Sequence, residues 1–289
     1  MTFTPMLACS KQPDLTKLSY PLLASSKLDG IRCIIKDSVV LSRTLKPIPN
    51  RSIQQALAGI PYGLDGELMV PGDYSSVESA VMSEDGTPAF MYFVFDCFDN
   101  KDSSYLARHK DLVRKVEDLN NPYVQILEQL LIVSAEEAIR YYNVSVEAGY
   151  EGIILRHRLA PYKYGRSTLK QEWMLKVKPV NDTEAIIVDF EELMHNDNVS
   201  TIDARGYTVR SKEQSGLCNS NMLGSLVCKD KSGTIVFIGS GFTNAQREEI
   251  WNRKDFYVGK QITFKYQDRM ASGAYRFPVF KGFRSFNDV

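Results

Sequence analysis

The sequence carries no excess of either charge: 35 lysines and arginines balance 35 aspartates and glutamates. It therefore lacks the global basic field that marks many nucleic-acid binders, and any phosphate-binding surface has to come from local clustering. Histidine is scarce. His109, His157 and His195 lie far apart, which excludes a histidine-rich metal site. The five cysteines (Cys9, Cys33, Cys97, Cys218, Cys228) are odd in number, scattered, and contain no Cys-x-x-Cys pair. They read as reduced core thiols, not as a disulfide framework or a zinc site. MTFTPMLACSKQ lacks the long apolar core of a secretory leader, and no apolar run approaches transmembrane length. From these absences we expect a soluble intracellular protein with no membrane partner.

What is present is an ordinary globular composition, 44% hydrophobic and 24% charged over 289 residues, which suits one large domain or two medium ones. YPLLASSKL, IRCII and VVLSRT read as strands about a turn, and Ser52 reads as the cap of a short helix reaching 58. GLDGELMV is a strand that sets Asp65 and Glu67 on one face. A short helix is expected over 75–82, and longer amphipathic ones over 105–119 and 135–148. FMYFVFDCF reads as a central strand buried on both faces, and QILEQLLIV as a further strand. Gly149 stops the last of these helices, Glu151 heads the strand EGIILR, and WMLKVK points Lys176 and Lys178 to one side.

At Pro179-Val180-Asn181-Asp182 the texture changes, which divides the chain into 1–180 and 181–289. Beyond that point TEAIIVDF, GYTVRS, LGSLVCK, TIVFIGSGF and QITFKY accompany one helix, NAQREEIWNRK. This pattern fits a small Greek-key β-barrel of the oligonucleotide-binding (OB) type. The polar segment 195–223, with Arg205, Arg210 and Lys212, is long for a turn and by itself reads as a mobile surface insertion.

The chemistry centres on Lys27-Leu28-Asp29-Gly30-Ile31-Arg32. A lysine with a depressed pKa can attack a phosphoanhydride, Arg32 offers a planar fork for phosphate, and Asp29 can hold the lysine or a metal. Taken alone, the stretch reads equally well as a charged strand ending in an Asp-Gly hairpin turn. LDGEL, FVFD, EGIILR and LKVK are also weak singly. In this order they set nucleophile, carboxylate, aromatic, carboxylate and paired lysines on strand ends of one domain, which is what a nucleotide site needs. The aromatic can stack a base, one carboxylate can bond a ribose, the other can bind Mg²⁺, and the cations can neutralise phosphates. Arg156, Arg158, Lys163, Arg166, Lys170, Lys176 and Lys178 face only Glu172 along 156–178, and we read them as a phosphate-tracking surface.

With these motifs goes a resemblance to the covalent nucleotidyltransferases, and within them to the ATP-dependent DNA ligases of small, two-domain type. It runs from about 20 to 284 and is carried by SRTLKPIPNRSI, PYKYGRSTLK, GTIVFIGSGF and RFPVFKGFR. The resemblance implies an α+β fold: an adenylation domain of antiparallel sheets with flanking helices over 1–180, then an OB-fold barrel over 181–289. The segment 195–223 would be a latch-like insertion with which a monomer encircles nicked duplex DNA. The implied cofactors are ATP and Mg²⁺ or Mn²⁺.

The roles implied for individual residues follow the motifs. Lys27 takes AMP as a phosphoramidate. Asp29 and Arg32 assist at the nick, and Arg32 and Arg43 contact the phosphates that flank it. Glu67 bonds the ribose, Phe95 stacks on adenine, and Lys176 and Lys178 contact the adenylate phosphate. Glu151 holds the metal, with Asp29 a second candidate ligand. Arg166 grips the 5′-phosphate, and Arg276 orients the leaving pyrophosphate when the second domain closes. The ending GFRSFNDV departs from the family's Arg-x-Asp-Lys, so no role passes to Arg284 or Asp288.

Four rivals stay open on sequence. A capping guanylyltransferase shares the lysine motif but uses GTP, and an RNA ligase differs in substrate. An NAD-dependent ligase carries an extra N-terminal module, for which the 26 residues before Lys27 leave little room. A non-catalytic nucleic-acid clamp would need none of the intact Lys27, Glu67, Glu151, Lys176 and Lys178.

Overall fold

A computed structural model describes residues 2–203, 206–270 and 272–284. By its contacts the chain divides into two units, Met1–Lys178 with Ile202–Thr208, and Pro179–Thr201 with Val209–Val289.

The first unit runs β1 (Leu22–Ser26), β2 (Ile31–Lys36), β3 (Val39–Ser42), α1 (Arg51–Ala56), β4 (Leu64–Met69), α2 (Tyr74–Met82), β5 (Met91–Cys97) and α3 (Tyr105–Leu119). It continues with β6 (Val124–Ile126), β7 (Leu130–Ile132), α4 (Ala135–Glu147), β8 (Ile153–His157) and β9 (Met174–Val177). These strands make two sheets, ordered β7-β1-β8-β9 and β3-β2-β4-β5-β6, antiparallel except for the β5–β6 pair. Strands β1 and β2 lie in different sheets, so Lys27–Gly30 is the crossing between them. It is not the hairpin turn that Asp29-Gly30 suggests. A side chain at Gly30 would clash with the Leu68 carbonyl oxygen, so the close approach of crossing and β4 requires glycine. The hairpin turn lies instead between β2 and β3, at Asp37 and Ser38 with φ of 52° and 61°.

Local signals set most helix ends. Asn50, not Ser52, caps α1 by accepting from the Ile53 amide, because its side chain is buried and also donates to the Ala80 carbonyl. Asp73, Ser104 and Ser134 cap α2, α3 and α4 in the same way. QILEQLLIV does not form one strand. It divides into β6 on one sheet and β7 on the other, a second crossing that encloses the space between the sheets. The aromatic run of β5 is buried on both faces only in its second half, since Met91 and Phe93 stay half-exposed.

The second unit runs β10 (Asn181–Asn196), β11 (Ser200–Ile202, its last residue counted in the first unit), β12 (Thr208–Arg210, its first residue likewise), β13 (Leu217–Asp230), β14 (Ile235–Ile238), α5 (Asn244–Asn252) and α6 (Lys254–Tyr257). It ends with β15 (Gln261–Tyr266), β16 (Asp268–Arg269), β17 (Tyr275–Arg276) and β18 (Val279–Phe283). Its sheet, β14-β13-β10-β15-β18, is antiparallel and OB-like but does not close as the expected barrel. The four-residue edge strand β14 ends at Ile238, and among the described residues a single bridge, Ser240 to Val279, joins the two edges. Much of 195–223 continues β10 and β13, which pair as far as Asn196 and Leu217, and β11–β12 forms a ribbon between them. Asn198 ties that ribbon by donating to the carbonyls of Ser211 and Glu213. Arg205 and Asp288 lie outside the described residues. Among the described residues no helix is long and apolar enough to cross a membrane.

Candidate active site

Lys27 leaves the end of β1 locked by two backbone bonds. Its amide donates to the Gly152 carbonyl (2.8 Å), and its carbonyl accepts from the Glu151 amide (3.0 Å). Gly152 has φ of 128°, and a side chain there would clash with the Val177 carbonyl, so only glycine lets β8 begin this close to β9. The result is a triad that spans the sheet. Glu151, its side chain 6% exposed, ion-pairs through one oxygen with Lys27 and through the other with Lys178.

A cleft opens between the sheets, lined among others by Ser25, Ser26, Lys27, Arg32, Glu67, Phe95, Leu127, Arg156, Met174 and Lys176. Phe95 reaches it because β5 bulges: Asp65 pairs with Asp96 and Gly66 with Val94, which leaves Phe95 unpaired and turned inward. The guanidinium carbons of Arg32 and Arg156 lie 4.7 Å and 5.3 Å from its ring centre. Burial pushes the Glu67 carboxyl up against the pull of Lys27 and Arg32. Burial pushes the Lys176 amine down, and the neighbouring Lys27, Arg166 and Arg43 push it further. Three cations therefore act on Lys176, which lines the cleft with Lys27, an arrangement suited to anionic phosphates.

Arg32 does not present an open fork. Nε and Nη2 bind Asp65 bidentately, and Nη2 also donates to the Met6 carbonyl (3.1 Å). Asp65, fully buried, accepts from the Tyr162 hydroxyl as well (2.6 Å). Arg43 is exposed and shares a second cleft with Gly30, Ser42, Glu67 and Tyr74. Arg166 is exposed and donates to the Ala8 carbonyl (2.7 Å). Asp29 sits on the crossing and is not among the residues lining the cleft between the sheets. Arg276 belongs to β17 in the second unit, 5.3 Å from the Phe277 ring.

One expectation about the basic stretch changes. Arg156 is no part of a phosphate-tracking surface: it is 2% exposed and bound to Asp96 (2.9 Å). The same Asp96 holds Arg108 at 2.8 Å and 3.1 Å, and the Tyr105 hydroxyl donates to the Phe95 carbonyl (2.9 Å). This layer beneath Phe95, with Asp65 and Tyr162 beneath Arg32, is absent from the reading of the sequence alone. A lone carboxylate inside an apolar strand, as in FVFDC, is the signal that could have exposed it, since a buried charge needs a counter-ion.

Among the described residues no group of three or more His, Cys, Asp or Glu could hold a metal ion. A lone carboxylate such as Glu151 fits Mg²⁺ only when nucleotide phosphates and water complete the shell, which is usual for that ion.

The two units are thus a nucleotidyltransferase domain and an OB-like domain. A family model for the ATP dependent DNA ligase domain matches residues 5–178, and one for a DNA ligase OB-like domain matches 218–284. The chain belongs to the ATP-dependent DNA ligase family. The crystal structure of Chlorella virus DNA ligase-adenylate is 31% identical, covers 97% of this chain and 99% of its own, and superposes with a TM-score of 0.56. A solved structure of the Lig E DNA ligases, at 24% identity with 98% and 100% coverage and a TM-score of 0.77, shares the fold. African swine fever virus DNA ligase is 29% identical over 109 residues, 35% of this chain. The chain spans about a quarter, 25%, of the length of that curated relative.

Proposed function

We propose that this protein seals 3′-hydroxyl/5′-phosphate nicks in duplex DNA through a lysyl-AMP intermediate formed from ATP. The observation that carries the reading is the Lys27–Glu151–Lys178 triad, whose Lys27 lines a cleft together with Phe95, Glu67 and Lys176. Lys27 Nζ has to lose a proton before it attacks, and Glu151, in contact with it, is the base within reach. Attack on the α-phosphorus makes the N–P bond and breaks the bond to the β-phosphate oxygen, releasing pyrophosphate. A 5′-phosphate oxygen of the nick then displaces Lys27, and the 3′-hydroxyl displaces AMP from the DNA-adenylate.

Phe95 stacks on adenine, Glu67 bonds the ribose, and Lys176 and Lys178 hold the adenylate phosphate. Glu151, with the nucleotide phosphates and with Asp29 as a second candidate ligand, would hold Mg²⁺ or Mn²⁺, which would supply charge neutralisation at the α-phosphate and pyrophosphate. Arg43 and Arg166 bind phosphates at the nick. Arg32, with Asp29, orders that surface from its fixed place on Asp65. Arg276 orients pyrophosphate. The segment 195–223 closes around the duplex, so the protein acts as a monomer.

Incubation with Mg²⁺ and α-labelled ATP or GTP, a denaturing gel, and a chase with nicked duplex test this. Label taken from ATP and discharged by the nick is the expected result; label from GTP alone would indicate a capping enzyme. Base stacking on an aromatic contributes about 1–3 kcal/mol. Phe95→Ala is therefore expected to raise the KM for ATP in self-labelling about 10- to 100-fold. An unchanged KM would move the adenine elsewhere.

A further inference from the structure

Asp230 ends β13 and is 8% exposed. Its Oδ1 shapes the turn into β14, accepting from the Ser232 amide (2.8 Å), the Ser232 hydroxyl (2.6 Å) and the Thr234 amide (2.8 Å). A carboxylate serving only this turn would need no more. Its Oδ2 faces the other way and accepts from the Tyr275 hydroxyl (2.6 Å) and from Arg269 Nη2 (2.9 Å).

Arg269 and Tyr275 are directly opposed across the β16–β17 ribbon, and the guanidinium lies 4.1 Å from the tyrosine ring centre. One buried carboxylate therefore holds both strands of the ribbon to the β13–β14 turn. The next pair along the ribbon is Asp268 with Arg276, and the Arg276 carbonyl accepts from the Gln267 amide (3.0 Å). A ribbon with two residues in each strand has little stability of its own. The place from which Arg276 extends is set by what grips its neighbour Tyr275, whose ring packs edge-on against Phe264 and Tyr266.

We propose that Asp230 is a positioning residue for self-adenylation: through Arg269 and Tyr275 it holds the β16–β17 ribbon so that Arg276 meets the leaving pyrophosphate. The inference rests on the reading of Arg276 given under Proposed function. Asp230→Asn keeps an oxygen for the turn and replaces the ribbon-facing acceptor with a donor. A displacement of about 1 Å at a reacting group costs up to ~100-fold. Single-turnover self-adenylation by the whole protein is therefore expected to slow about 10- to 100-fold, while sealing of a pre-adenylated nick stays within about twofold.

Ser232→Ala, which touches only the turn, is expected to leave both steps unchanged. Tyr275→Phe removes the hydroxyl's bonds to Asp230 and Arg269, keeps the packed ring and the Arg269–Asp230 contact, and is expected to give a smaller loss confined to the first step. It decides the matter should Asp230→Asn fail to fold. Equal losses in both steps, or none in the first, would overturn the proposal. Arg276→Ala separates the two readings. If it leaves self-adenylation intact, the role of Arg276 falls; if it slows that step and neither Asp230→Asn nor Tyr275→Phe does, only the positioning role falls.

Discussion

Lys27→Ala is expected to abolish transfer of label from ATP to the protein, by at least ~10⁴-fold, with affinity for nicked duplex little changed. Lys176 lines the same cleft, and burial with three neighbouring cations lowers its pKa, so its surroundings favour deprotonation. Two arguments stand against its taking over. Lys27 has a carboxylate in contact to receive its proton, whereas no carboxylate is among the main influences on Lys176. Removing Lys27 also removes one of the charges that hold the Lys176 pKa down, so its amine becomes more fully protonated in the variant. Mass spectrometry of the labelled peptide checks this. Adenylation of Lys176 in Lys27→Ala, or retained labelling of any kind, would end the assignment of Lys27.

The second large effect is on stability. Asp96 is fully buried and is the shared counter-ion of Arg108 and Arg156, themselves 1% and 2% exposed. Asp96→Ala leaves two guanidinium groups in a low-dielectric interior without it. Breaking a buried pair by removing one partner costs about 3–5 kcal/mol. For a unit of this size the corresponding fall in Tm is on the order of 10 °C. The expected order in thermal denaturation is wild type, then Asp96→Asn, then Asp96→Ala, because the amide keeps an acceptor but not the charge. A loss below about 1 kcal/mol for Asp96→Ala would mean that water replaces the carboxylate. Weaker ATP binding should accompany the loss, since Arg156 and the Phe95 carbonyl belong to the same layer.

Local signals in this chain were legible where the physics is local. Helix α3 begins at Tyr105 because Ser104 caps the Ala107 amide, and it stops at Leu119 because Asn120 turns left-handed with φ of 44°. Both are decided within four residues. The division of QILEQLLIV between two sheets was not legible, because three residues bind well to either edge and only the sheets decide which. The open OB-like sheet was missed for the same reason, as closure depends on where two distant edges meet.

At the site the same line separates what could be read from what could not. The chemical kit is written along the chain: a lysine three residues before a glycine that permits a tight crossing, carboxylates on strand ends, an aromatic followed by aspartate, and a pair of alternating lysines. What each charge does follows from its neighbours in the folded chain. Glu151 meets Lys27 across 124 positions, Asp65 meets Arg32 across 33 and Tyr162 across 97, and Asp96 meets Arg156 across 60. An aspartate that serves as a counter-ion and a glutamate open to a ligand carry the same charge in a sequence. Burial and the register of the two sheets assign their partners, because an ion pair depends on distance in space and not on separation along the chain.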